Sequence, residues 1–127
     1  SSPELSGAIN ERALLHIDNA YYLENIIVEN YLCKTNTASN TAFRGFGGNQ
    51  GMMVIENIID NIANSLKKDP AEIRRRNFYQ KKKKNITHYN MKIEDNVIQE
   101  IFDQILKSSN YKSRQSSIKK FNKNFRN

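Results

Sequence analysis

The residues best suited to chemistry lie together in one run, Ser39-Asn40-Thr41-Ala42-Phe43-Arg44-Gly45-Phe46-Gly47-Gly48-Asn49-Gln50-Gly51. Gly45, Gly47 and Gly48 lack side chains and leave the backbone free to approach another group closely. The apolar periodicity that follows predicts a helix, so the loop feeds a helix N-terminus. Unpaired N–H groups and the helix dipole favour an anion such as phosphate there. Arg44 could add a forked guanidinium contact to the same kind of group. No Lys-Ser/Thr pair follows the glycines, so this is not a nucleoside-triphosphate loop. On pattern alone, a purely structural turn stays open as an alternative.

Other reactive side chains offer less. His16 and His88 are far apart and have no further ligand at metal-binding spacing, so no protein-bound metal is expected. Cys33 is the lone cysteine, which excludes an internal disulfide. It falls in an apolar stretch and reads as core rather than nucleophile. A reducing, cytoplasmic setting is expected. Met52 and Met53 follow a helix face, and Lys81 to Lys84 read as a solvated turn.

The elements that must position the loop follow from periodicity. Leu5 to about Asn19 predicts a helix with Leu5, Ile9, Arg12 and His16 along one stripe, capped by Ser2 with Pro3 in the first turn. Tyr21 to Thr35 reads as one bent strand or a short hairpin. After the loop, Met52, Ile55, Ile59, Ile62 and Leu66 mark an amphipathic helix, with Ile58 beside the stripe. Asp69-Pro70-Ala71-Glu72 starts a short helix to about Tyr79, with Glu72 reaching back to the cap. Asn96 and Gln99 open another, with Val97, Ile98, Ile101, Phe102, Ile105 and Leu106 on one face. Ser108-Ser109-Asn110 ends it, and a basic helix bearing Tyr111, Ile118, Phe121 and Phe125 follows. The expected fold is α+β and predominantly helical: a short strand or hairpin, then a glycine-rich loop and four helices. Many of these faces need partners that 127 residues do not supply.

The net charge of +7 is uneven. Residues 1–63 hold three basic and seven acidic side chains, a balance of −4; residues 64–127 hold seventeen basic and six acidic, a balance of +11. Such asymmetry can mark a nucleic-acid surface. Because Asn, Ile and Lys recur throughout the chain, the charge reads instead as a compositional trait of solvated faces. No apolar run approaches the roughly 18 residues that a membrane span needs. Ser1 to Gly7 has neither the basic nor the apolar part of a signal peptide, and the missing initiating Met points to a piece of something longer.

The Phe-Arg-Gly-Phe-Gly-Gly string, with Thr35-Asn36 before it and Gln50-Gly51 after it, resembles the molybdenum–pterin loop of the xanthine dehydrogenase and aldehyde oxidase family. The likeness continues in Glu11-Arg12-Ala13-Leu14, His16, Asp18-Asn19-Ala20-Tyr21, Arg75 to Tyr79, Thr87-His88-Tyr89-Asn90, Ser108 to Tyr111 and Phe121-Asn122. The last four of these fall on what the resemblance implies are later helices. The type resembled has its molybdenum subunit as a separate chain.

The resemblance implies a part of the first molybdopterin-binding region, with residues 1–49 as helix, strand element and cofactor loop and residues 50–127 as a helical segment. It implies that Arg44 contacts the cofactor beside the molybdenum, with Phe43, Gly45, Gly47 and Gly48 also in the cofactor loop. Phe46 is implied to pack on a flat substrate ring, and Arg12 to contact a purine oxygen. The types suit those tasks, since an aromatic face holds a planar heterocycle and a guanidinium stabilises charge building on it. Each has a plainer reading: Phe46 as a plug, Arg44 as a tie to carbonyls, Arg12 in a buried ion pair. Molybdenum would be held through the pterin, with no protein side chain as ligand.

The implied activity is oxidation of hypoxanthine and xanthine toward urate. Implied partners are the rest of the molybdenum subunit, an iron–sulfur and FAD subunit bearing those groups, and a purine; neither membrane nor nucleic acid is expected. The general-base glutamate is implied to lie after Asn127, so the chain alone should be inactive. Asn49 stands where the family usually has proline, and Thr37-Ala38 also departs from its pattern. Two rival readings are a basic nucleic-acid-binding module over residues 67–126 and an inactive relic of the enzyme. Steeply salt-dependent DNA or RNA binding would mark the first.

Overall fold

The computed structural model describes residues 3–38 and 40–125, so the expected cap at Ser2 and the loop residue Ser39 lie outside the described residues. Among the described residues five helices succeed one another: α1 (Pro3–Leu15), α2 (Gly48–Ser65), α3 (Pro70–Asn77), α4 (Ile98–Ser108) and α5 (Tyr111–Phe125). They fall into two compact units, residues 1–95 and 96–127.

In the first unit α2 is the central helix. Its buried residues are Gly48, Gly51, Ile55, Ile59 and Ala63, which recur at three- and four-residue steps and so share one face. The stripe expected from sequence is split by this packing. Ile55 and Ile59 go inward, while Met52, Ile58, Ile62 and Leu66 are exposed. Both stripes are apolar, and α1 and α3 cover only one of them.

Helix α3 starts as its sequence predicts, with Asp69 Oδ1 accepting from Ala71 N at 2.9 Å and Pro70 in the first turn. Glu72 pairs with Lys68 and Arg76. The helix stops at Asn77 because Phe78 turns extended and bridges antiparallel to Tyr21. Tyr22 N donates to Asn77 O at 2.7 Å and Tyr79 N to Ala20 O at 3.0 Å. The Tyr21 and Phe78 rings stack at 5.6 Å between centroids, both buried.

That bridge is all that forms of the strand expected over Tyr21 to Thr35. The described residues contain two isolated bridges and no sheet, so the β part of the expected α+β class is not present. Ile27 is 93% exposed and Cys33 is exposed, which corrects the reading of Cys33 as core. A β-branched run has strand propensity, but a ladder also needs a partner edge, and none pairs with this segment.

A tight turn follows α3. Thr87 N donates to Met91 O at 2.9 Å, Met91 N to Thr87 Oγ1 at 2.9 Å, and Ile93 N to Asn85 O at 2.8 Å. Asn90 takes the left-handed conformation at its corner, φ 65°. Thr87 to Asn90 is therefore a turn and not part of a helix.

The second unit is a helical hairpin. Asn96 Oδ1 accepts from Ile98 N at 3.0 Å and opens α4. Asn110, at φ 51°, turns the chain into α5. Neither helix has a buried residue. Among the described residues no helix is long and apolar enough to cross a membrane.

Candidate functional site

The site is built where α1 crosses the start of α2. A Cβ at Gly47 would overlap the Ile9 carbonyl oxygen and lie 2.9 Å from Ile9 C; one at Gly51 would overlap the Ala13 carbonyl oxygen. At Gly48 a Cβ would come within 3.1 Å of the His16 ring. Their side-chain positions are thus filled by α1 and by His16 just after it. Any ligand contact from Gly47 or Gly48 must run through main-chain atoms. Gly45 differs: it is exposed, and its φ of 96° opens the turn.

The turn itself has three successive left-handed residues, Gly45 (φ 96°), Phe46 (φ 49°) and Gly47 (φ 100°). For glycine this is unstrained, whereas for Phe46 it costs about 1–2 kcal/mol. Two main-chain bonds hold the turn, Phe46 N to Phe43 O and Gly48 N to Gly45 O, each 2.9 Å. A side chain closes it: Asn49 Nδ2 donates to Arg44 O at 2.9 Å. The result projects Arg44 and Phe43 into solvent, with Phe43 78% exposed, and leaves Phe46 half-buried.

Arg12 sits in the last turn of α1, beside Ala13, whose carbonyl meets Gly51. Ile9, Ala13 and His16 face α2, and Arg12 does not continue their stripe. Its side chain is exposed, which corrects its placement on the apolar face. A cavity of about 320 Å³ opens nearby, lined by Ala13, Leu14, Val28, Gln50, Gly51 and Val54. Arg12, Arg44 and Phe46 do not line it.

Behind this surface lie two polar clusters that sequence reasoning missed. Asp18 is buried, accepts from Tyr79 Oη at 2.5 Å, and lies 3.4 Å from His88 Nδ1. The histidine is close enough for charge pairing but too poorly aligned there for a hydrogen bond. Its Nε2 lies 3.1 Å from Leu14 O and, since a carbonyl only accepts, donates to it. Burial, then the Asp18 carboxylate, pushes the Tyr79 phenol well above its usual range.

In the second cluster Glu56 accepts from Tyr21 Oη at 2.6 Å and from Asn19 Nδ2 at 2.9 Å. Arg74 forks between Glu56 (2.8 Å) and Asp60 (2.9 Å). Burial alone would lower the Arg74 pKa, but these two carboxylates outweigh it and raise it. Burial, then Glu56, raises Tyr21. Both clusters pin the 18–22 turn behind α1. Sequence held only a weak trace of them, acids spaced along a helix, because their partners lie far away in the chain.

The donor set at the loop fits a group combining phosphate with a flat heterocycle. It offers an exposed guanidinium, accessible main chain at Gly45, a helix start and two aromatic rings. Among the described residues no three His, Cys, Asp or Glu side chains converge to hold a metal ion directly.

Comparison with known proteins identifies the family. A family model described as the molybdopterin cofactor-binding domain matches residues 1–78, which take in α1, the loop, α2 and α3. Xanthine dehydrogenase of Calliphora vicina is 46% identical over 125 residues, 98% of this chain and 9% of that protein. Xanthine dehydrogenase/oxidase of Gallus gallus is 43% identical over 123 residues, 97% of this chain and 9% of its own length. Xanthine dehydrogenase of Emericella nidulans is 42% identical over 120 residues, 94% of this chain and again 9% of the relative. The chain therefore spans about a tenth of the length of these relatives, and its match runs through the loop and both neighbouring helices. It belongs to the molybdopterin cofactor-binding domain family.

Proposed function

We propose that this chain forms part of the molybdenum-cofactor region of a xanthine-dehydrogenase-type hydroxylase that oxidises hypoxanthine and xanthine. The carrying observation is the outward-facing turn at the start of α2, with Arg44 exposed and three left-handed residues behind it. Arg44 binds the anionic part of the molybdenum–pterin group, and Phe43, Gly45, Gly47 and Gly48 form the rest of its seat. The group, when bound, supplies the redox chemistry. Phe46 stacks on the flat substrate, and Arg12 meets a ring oxygen and stabilises charge on it. These residues position and polarise; the proton-transferring base comes from outside the chain, as do the iron–sulfur and FAD groups.

The seat is tested by R44A, read as molybdenum per polypeptide in the purified protein. Losing one charge-assisted contact of about 1.5–3 kcal/mol should cut affinity by roughly ten- to a hundredfold. Full molybdenum content in the variant would refute the assignment. The substrate role is tested by R12M in the complete enzyme, where it should depress kcat/KM for hypoxanthine and leave an aldehyde substrate unaffected. Equal loss on both would refute a purine-specific contact.

A further inference from the structure

Asn49 lies at the second position of α2, and its side chain turns back across the loop. Its amide nitrogen donates to Arg44 O at 2.9 Å, the main-chain oxygen of the residue assigned to the cofactor. A Cβ on Gly45 would stand 2.7 Å from Asn49 Cγ, so a side chain at 45 would have to push the amide aside. Gly45 and Asn49 are therefore matched: the one leaves the space that the other fills. Phe46 is the only non-glycine among the three left-handed residues, and Asn49 adds a side-chain bond to the main-chain bonds of the turn that holds it.

We infer that Asn49 is a positioning residue for the cofactor loop. Its amide fixes the peptide that carries Arg44, and so the direction in which the guanidinium is offered. The role rests on the cofactor reading of the loop, but the bond can be measured without cofactor. N49D isolates it. The two side chains have almost the same shape, and a carboxylate in the first turn suits the helix dipole, so α2 keeps its start. An ionised carboxylate has no hydrogen to donate, so the bond to Arg44 O is lost.

The first readout is direct, a through-hydrogen-bond coupling between Asn49 Nδ2 and the Arg44 carbonyl carbon by NMR. The second is amide exchange over residues 43–48. In N49D it should quicken by roughly fivefold, the factor for one neutral hydrogen bond, with far-UV circular dichroism unchanged. Protection should return as pH falls and the introduced carboxyl regains a proton, a profile that loss of packing would not produce. Molybdenum content should fall alongside. Wild-type exchange in N49D would overturn the bond. Faster exchange with undiminished molybdenum would overturn its role in positioning, whereas undiminished molybdenum in R44A overturns the cofactor reading itself.

Discussion

Two helical glycines should respond with opposite sign to the same substitution. Gly7 lies in α1 with nothing within 4 Å of an added Cβ. G7A therefore gains helix propensity without collision, about 0.8–1 kcal/mol. Gly51 lies in α2 and should gain the same intrinsic amount. There, however, the new methyl falls roughly 1 Å inside ordinary contact with the Ala13 carbonyl oxygen. It also lies 3.2 Å from Ala13 C and from His16 C. These atoms are main chain, so no side chain can rotate away and α1 itself must move. Overpacking costs about 1–3 kcal/mol, and a rigid neighbour puts Gly51 at the upper end. The propensity gain offsets a third of this, leaving G51A less stable by about 2 kcal/mol. For a unit of this size 1 kcal/mol moves the midpoint by roughly 4–8 °C. Thermal melts followed by circular dichroism should place G7A a few degrees above the parent and G51A about 8–16 °C below it. A G51A melt at or above the parent would refute the close approach of α1 to α2, and with it the support behind the loop.

Three further results follow from the buried clusters. Y79F removes the 2.5 Å bond to buried Asp18 and should cost about 1.5–3 kcal/mol in denaturant titration, while Y31F, at an exposed ring, should cost nothing measurable. Tyr21 and Tyr79 are both raised above the ordinary phenol value of 10.0 by burial and a carboxylate neighbour. A raised folded value means that the folded state holds its proton longer, so this stabilisation is complete below pH 10.0 and is lost as pH rises beyond it. An alkaline ultraviolet titration should show both ionising together with unfolding, not before it. R74A should lose about 1–2 kcal/mol by leaving Glu56 and Asp60 side by side, and R74K should recover only part, since an ammonium can replace Nη2 between the two carboxylates but not the second bond that Nε donates to Glu56.

The helices were legible because their signals are local. Asp69-Pro70 located the start of α3, and Asn96 the start of α4. Anything that depended on a partner was not. The Ile26-Ile27-Val28 run has the propensity of a strand but finds no edge to pair with. On α2 the single expected stripe of Met52, Ile55, Ile59, Ile62 and Leu66 is divided, and only packing decides that Ile55 and Ile59 face inward. The glycine cluster showed that something must come close to the backbone. It did not show that the approaching object at Gly47 and Gly51 is another helix, while at Gly45 it is the side chain of Asn49. Arg12 looked costly because it was placed on a stripe that in fact passes through Ala13. The resemblance singles out Arg44 and Phe46 as candidates, but the side chain that closes their turn, Asn49, is visible only in the structure.

The pairing of residues 20–22 with 77–79 also bears on how the protein would withstand cutting. The described residues between Glu24 and Arg44 form no regular element, and Lys34 stands exposed among them. A single cleavage after Lys34 would leave α1 on one piece and α2 with α3 on the other. The two pieces would still share the Tyr21–Phe78 bridge, the Tyr79–Asp18 bond and the glycine seam between α1 and α2. Continuity of the polypeptide is thus not what holds the seat beneath the loop together, and a nicked protein would migrate as one particle until denatured.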